Sequence, residues 1–125
     1  MCDVDKCKMI KVTKLFEFEA SHFLPEYKGA CSRLHGHSYK MSVTVQGNID
    51  KDTGMVLDFS ELKHKVEEYI INLVDHTFLN DKFVMPTAEN MVVQFAIILK
   101  GVLKESYPNI LLSKVILWET STSYA

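Results

Sequence analysis

At 125 residues, with 47% hydrophobic and 24% charged residues, the chain has the composition of a folded globular protein, and one domain over residues 1–125 is expected. A formal net charge of −2 and a pI near 6.2 give no electrostatic basis for binding nucleic acid or an anionic membrane. The only arginine is Arg33, and the longest apolar runs are too short to span a bilayer.

Cys2, Cys7 and Cys31 form an odd set, which argues against a disulfide framework, and Met1 to Lys8 lack the apolar run of a secretory signal. A reducing, cytoplasmic setting is expected. Cys2-x4-Cys7 is a weak metal-like spacing and is given no role.

Residues Val12 to His22 alternate as a strand does. Val12, Phe16, Phe18, Ala20 and His22 share one parity, and Thr13, Glu17, Glu19 and Ser21 share the other. Phe23 to Leu34, with Pro25 and Gly29, is a long connection of the kind that often carries function. His35 to Gln46 predicts a second strand, with His35, His37, Tyr39, Met41, Val43 and Val45 on one face. Ser38, Lys40, Ser42, Thr44 and Gln46 face the other way. In both strands the histidines therefore occupy the mainly apolar face, expected to be buried.

Gly47-Asn48 and Asp52-Thr53-Gly54 mark turns. Asp58-Phe59-Ser60-Glu61 reads as a helix N-cap with a carboxylate at the third helical position. Leu62, Val66, Tyr69, Ile70 and Leu73 follow at helical spacing, predicting a helix from about Phe59 to Val74. After Pro86 a second helix is expected from Thr87 or Ala88 to about Lys104, with an apolar stripe of Met91, Phe95, Ile98, Leu99 and Val102. Pro108-Asn109 is a turn, and Leu112 to Thr120 is a final β-rich run. The order ββααβ, plus a short or missing last strand, predicts an α+β fold: an antiparallel sheet with two helices on one face.

The chemistry concentrates in His22 and in Cys31-Ser32-Arg33-Leu34-His35-Gly36-His37. Histidines at i and i+2 of a strand project to one side, and His22, ending the neighbouring strand on the same face, can close a triangle. A catalytic zinc commonly uses three protein ligands and keeps one position open. A lone histidine would be read as an ordinary hydrogen-bonding side chain. Three converging beside a cysteine favour a metal. Cys31 fits three descriptions: a fourth ligand that closes the site, a proton-transfer thiol beside an open one, or an inert loop residue. Asp75-His76, directly after the first helix, suits an oriented general acid/base, although a histidine at a helix C-terminus is also favoured by the helix dipole alone. Glu119 shares the parity of Val115 and Leu117, where a carboxylate is out of place unless paired, exposed or binding a ligand. Glu89 opens the second helix, where the dipole explains it. His64, between Lys63 and Lys65, lies on a polar, solvated face.

The chain resembles the 6-pyruvoyl-tetrahydropterin synthase / 6-carboxy-tetrahydropterin synthase family. The motifs that carry this are Phe18-Glu19-Ala20-Ser21-His22, Cys31-x3-His35-Gly36-His37-Ser38-Tyr39 and Gly54-Met55-Val56-Leu57-Asp58-Phe59. Leu73-Val74-Asp75-His76-Thr77-Phe78-Leu79-Asn80, Pro86-Thr87-Ala88-Glu89-Asn90 and Trp118-Glu119-Thr120 continue the match. The resemblance implies Zn2+ on His22, His35 and His37, a catalytic thiol at Cys31, and an acid/base unit at Asp75 and His76. It implies a pterin anchor at Glu119 and a second acidic position in the pterin pocket at Glu89. The three residues between Cys31 and His35 resemble the bacterial carboxy-forming branch of queuosine biosynthesis, whereas the pyruvoyl-forming enzymes have a longer insertion there.

The implied architecture is the tunnelling fold, a homo-oligomer (a trimer or hexamer) with active sites between subunits. The implied substrate is a pterin triphosphate, 7,8-dihydroneopterin triphosphate, with no nucleic-acid or membrane partner. Lys28, Arg33 and Lys40 are candidates for its phosphates on charge and proximity. The pyruvoyl-forming reaction, and a non-catalytic pterin-binding protein with structural zinc, are the alternatives. The chain ends soon after Glu119-Thr120, where many relatives continue through a fuller last strand, so either that strand is short or the edge is completed differently.

Overall fold

The structure is a computed structural model, and it describes residues 9–125. The Cys2-x4-Cys7 spacing and the reading of Met1 to Lys8 lie outside the described residues. Among the described residues, five strands form one sheet: β1 (Ile10–His22), β2 (His35–Gly47), β3 (Thr77–Phe78), β4 (Leu111–Thr120) and β5 (Ser123–Tyr124), in the order β3-β1-β2-β4-β5. The long pairs β1–β2 and β2–β4 are antiparallel, as the alternation predicts. The sheet is nevertheless mixed, because β3 adds to the free edge of β1 in parallel, Ala20 opposite Thr77 and Ser21 opposite Phe78. A parallel neighbour needs a long crossover, and β2 with the first helix supplies it. The short last strand is β5, which pairs antiparallel with β4.

Register decides which face is buried. His22 pairs with His35, Ala20 with His37, Phe18 with Tyr39 and Phe16 with Met41, so even positions of β1 and odd positions of β2 share one face. Phe16, Phe18, Ala20, Tyr39, Met41, Val43 and Val45 are all buried there, joined by Leu117 opposite Met41. Phe18 stacks on Tyr39 with ring centroids 4.8 Å apart, and Phe95 of the second helix meets Phe18 edge-on at 6.3 Å. This aromatic layer is the floor on which the histidines stand.

The first helix begins at Phe59–Val66, where the Asp58 carboxylate accepts the Ser60 N–H at 2.8 Å. It continues through a π-helical turn, Glu67–Ile71, and a last α-helical turn, Asn72–Val74. Leu62, Val66, Ile70, Ile71 and Val74 are buried, whereas Tyr69 and Leu73, expected in the apolar stripe, are exposed. The wider π turn keeps the i+4 series from Leu62 to Val74 on the sheet, which turns Tyr69 and Leu73 outward. The second helix, Ala88–Ser106, is capped by Thr87 Oγ1, which accepts the Asn90 N–H at 3.2 Å. Its inner face is Ala88, Met91, Phe95, Leu99 and Leu103; Ile98 lies outside it and Val102 is only partly covered. Among the described residues, no helix is long and apolar enough to cross a membrane.

Candidate functional site

The β1–β2 register brings His22, His35 and His37 together at one end of the sheet, on the helix-covered face. Their ring centroids form a triangle with sides of 4.6, 4.8 and 5.0 Å. Glu119, on the same face of β4 as Leu117, completes the group. Each of the four offers one ligand atom, and these atoms all lie within 4.8 Å of one another, so the group could hold a metal ion.

Hydrogen bonding fixes the tautomers of two rings. A backbone carbonyl can only accept, so His22 Nδ1–H donates to the Pro86 oxygen at 2.8 Å and His35 Nδ1–H donates to the Arg33 oxygen at 2.7 Å. In the neutral rings both Nε2 atoms then carry lone pairs, and these face each other at 3.0 Å. Only a proton or a cation between them makes that arrangement favourable. Among the described residues His37 Nε2 is buried without a hydrogen bond; Glu119 Oε1 lies 3.1 Å away but not in hydrogen-bonding alignment. Burial holds the pKa of His37 below the usual histidine value, Glu119 opposing this and His22 and His35 adding to it. A lowered value favours neutral imidazole, the form that ligates metals. Three imidazole nitrogens and a carboxylate oxygen suit a borderline divalent cation. Below them the Tyr39 hydroxyl sits 3.3 Å from His22 Nδ1, and burial raises its pKa well above the usual phenol value.

Cys31 is half-buried and is not among the four converging residues. It lines a cavity of about 520 Å³ that Glu89, Glu119, Thr87, Tyr27 and Met85 also border. Glu89 and Glu119, two of the carboxylates singled out in the sequence, thus face the same space as the thiol.

Asp75 and His76 follow the first helix, and His76 takes a left-handed backbone, φ 56°. This turn lets adjacent side chains meet, which a continuing helix would not, and puts Asp75 Oδ1 3.0 Å from His76 Nδ1. The same Oδ1 accepts the Glu19 N–H at 2.9 Å, while the His76 N–H donates to the Glu19 carbonyl at 2.6 Å. The Glu19 N–H, and after it the bond to His76, hold the Asp75 carboxyl below the usual carboxylate range. The His76 side chain is 78% exposed and borders a second cavity, of about 490 Å³, with Glu19, Ser38, Phe78 and His37. Within one chain Cys31 and His76 therefore face different cavities, with the histidine cluster between them.

Lys28 and Arg33 are exposed on the connection before β2, and His64 is exposed as expected. Lys40 lies on the other face of the sheet, its Nζ 4.3 Å over the Trp118 ring, and points away from the histidines. Sequence reasoning missed the Pro86 carbonyl, the Tyr39 hydroxyl and the closeness of Glu119 to His37. The last two left a signal, Tyr39 in its parity with His35 and His37 and Glu119 in its parity with Leu117.

Residues 11–125 match the family described as 6-pyruvoyl tetrahydropterin synthase. The chain belongs to that family. It is similar to the 6-carboxy-5,6,7,8-tetrahydropterin synthase of Synechocystis sp., 44% identical over 84 residues that cover 62% of this chain and 65% of the relative. It is 40% identical to the enzyme of the same name from Haemophilus influenzae over 77 residues, 59% of this chain and 55% of the relative. The chain thus spans 55% to 65% of the length of these two relatives. The solved structure of Caenorhabditis elegans 6-pyruvoyl tetrahydropterin synthase superposes with a TM-score of 0.82 at 28% identity, over 94% of this chain and 93% of that one. The mixed sheet with two helices is the tunnelling fold of that family.

Proposed function

We propose that the protein is a zinc-dependent 6-carboxy-5,6,7,8-tetrahydropterin synthase. It converts 7,8-dihydroneopterin triphosphate and one water to 6-carboxy-tetrahydropterin, acetaldehyde and triphosphate, in the cytoplasmic synthesis of queuosine-type 7-deazapurines. The observation that carries the reading is the pair of opposed Nε2 lone pairs on His22 and His35, 3.0 Å apart in rings locked by carbonyls. With His37 beside them, they fit zinc and leave room for a substrate oxygen. The Cys31-x3-His35 spacing and the names of the bacterial relatives support the carboxy-forming product.

Bound zinc supplies Lewis acidity toward the oxygens of the substrate side chain. Cys31 and His76 move protons at the carbons next to those oxygens. Asp75 accepts the Nδ1–H of His76, which leaves Nε2 to take or give the proton. Glu119 and Glu89, both on the Cys31 cavity, accept N–H donors from the guanidine-like edge of the pterin. Because Cys31 and His76 border different cavities of one chain, a homo-oligomer, trimer or hexamer, completes each site by bringing His76 of one subunit to Cys31 of another.

The pyruvoyl-forming reaction is the second reading, favoured by the likeness to the C. elegans enzyme along almost the whole chain. Incubating metal-analysed protein with 7,8-dihydroneopterin triphosphate and identifying every product separates the two. Acetaldehyde and a 6-carboxy pterin are expected; a product that retains its side chain, with no acetaldehyde, would overturn the assignment.

A further inference from the structure

The segment carrying Asp75 and His76 runs alongside the end of β1 as a parallel ladder that finishes next to His22. Its rungs are the Glu19 main chain bonded to Asp75 Oδ1 and to the His76 N–H, then Ala20 opposite Thr77 and Ser21 opposite Phe78. The last rung is made by a side chain. Asn80 Oδ1 accepts the Phe23 N–H at 3.0 Å, and Asn80 Nδ2 donates to the Phe23 carbonyl at 3.0 Å. One amide thereby satisfies both main-chain groups of the residue that follows His22, as a strand neighbour would. The Phe23 and Phe78 rings stack across the same junction, 5.9 Å apart.

We propose that Asn80 is a positioning residue that couples the metal histidines to His76, so that metal binding at His22 tightens the segment bearing the acid–base pair. His76 depends on this ladder because its left-handed backbone is uncommon for a residue with a side chain. Hydrogen bonds pin it at Glu19, and the parallel rungs with Asn80 keep that register. Coupling is reciprocal: whatever metal gains by ordering residues 75–80, those residues return as metal affinity. The kinetic consequence rests on the proposed roles of zinc and His76, whereas the coupling itself is read without substrate.

The test compares unaltered protein with Asn80→Leu and Asn80→Asp. Leucine removes both bonds; aspartate keeps the acceptor for the Phe23 N–H but sets an oxygen against the Phe23 carbonyl. Zn2+ affinity is measured by competition with a chelator, and amide exchange of residues 75–80 with and without Zn2+, on variants whose circular dichroism shows a folded protein. Zn2+ is expected to slow exchange at residues 75–80 in the unaltered protein. In the variants that protection should be lost and Zn2+ binding weakened by about tenfold or more, as for other groups that orient metal ligands. Turnover should fall in kcat more than in KM. A residue that only stabilised the fold would lower the melting temperature and leave these readouts unchanged. Unchanged Zn2+ affinity and protection in either folded variant would overturn the inference. An unaltered protein that binds no Zn2+ would overturn the proposed function along with it.

Discussion

His22 and His35 aim their Nε2 atoms at each other across 3.0 Å, each ring held from behind by a main-chain carbonyl that leaves it no other tautomer. Opposed lone pairs at this distance suit a cation bound by both rings. Purified protein should therefore carry about one divalent ion per histidine cluster, as counted by elemental analysis. His35→Ala should weaken Zn2+ binding by more than about 100-fold, beyond the loss seen for groups that merely orient a ligand. Removing the ion with a chelator should lower the melting temperature by on the order of 10 °C, the shift expected from metal present at ~100 times its Kd. A chelator-treated sample that melts where the loaded one does would argue against the site.

Cys31 tests whether the metal site is open. The three histidine nitrogens converge without it, and its thiol borders the cavity shared with Glu89 and Glu119. Cys31→Ala is expected to keep its zinc while turnover falls by about 10²- to 10⁴-fold, the usual contribution of a positioned proton-transfer group. Zinc lost together with the thiol would make Cys31 a ligand and the site structural.

The long strands and the histidine triangle were legible because period-two alternation is a local signal that also fixes the face on which each side chain lies. The parity of His22, His35 and His37 survives folding intact, since β1 and β2 pair without a break from Ile10–Gly47 to His22–His35. What stayed hidden depends on contacts distant in sequence. The parallel rung at Thr77–Phe78 is two residues long and has no periodicity to read. The Pro86 carbonyl that sets the His22 tautomer lies 64 residues from it, and main-chain acceptors leave no trace in side-chain patterns. The π turn at Glu67–Ile71 misplaced Tyr69 and Leu73, because a constant helical period was assumed across it.

Asp75 should contribute stability that depends on pH in a defined direction. Its carboxyl is held below the usual carboxylate range, first by the Glu19 N–H and then by His76. A folded-state pKa below the unfolded one adds stability that is fully present above about pH 4 and lost as pH falls through the lowered value. In Asp75→Asn the amide oxygen can still accept the Glu19 N–H, but the charge is gone. Urea melts of the two proteins should therefore differ most at neutral pH and converge as pH falls through the lowered value. A difference that stays constant over that fall in pH would mean that charge plays no part in this contact.

Phe95 separates the stability of the scaffold from the chemistry of the site. Its ring is 1% exposed, meets Phe18 and Phe83 edge-on at 6.3 and 6.1 Å, and joins the second helix to the floor beneath the histidines. Phe95→Ala should cost about 3–5 kcal/mol of unfolding free energy, because the cavity it leaves is bounded by a stacked pair that cannot collapse into it. Phe95→Leu keeps most of the volume and should cost less than half as much. The helix it anchors begins two residues after Pro86, whose carbonyl fixes the His22 ring. If that carbonyl is held by the helix cap at Thr87 and not by packing further along, Phe95→Leu will melt earlier yet bind Zn2+ with unchanged affinity at 20 °C. Weaker Zn2+ binding in that variant would show instead that the core layer positions the metal histidines through the second helix.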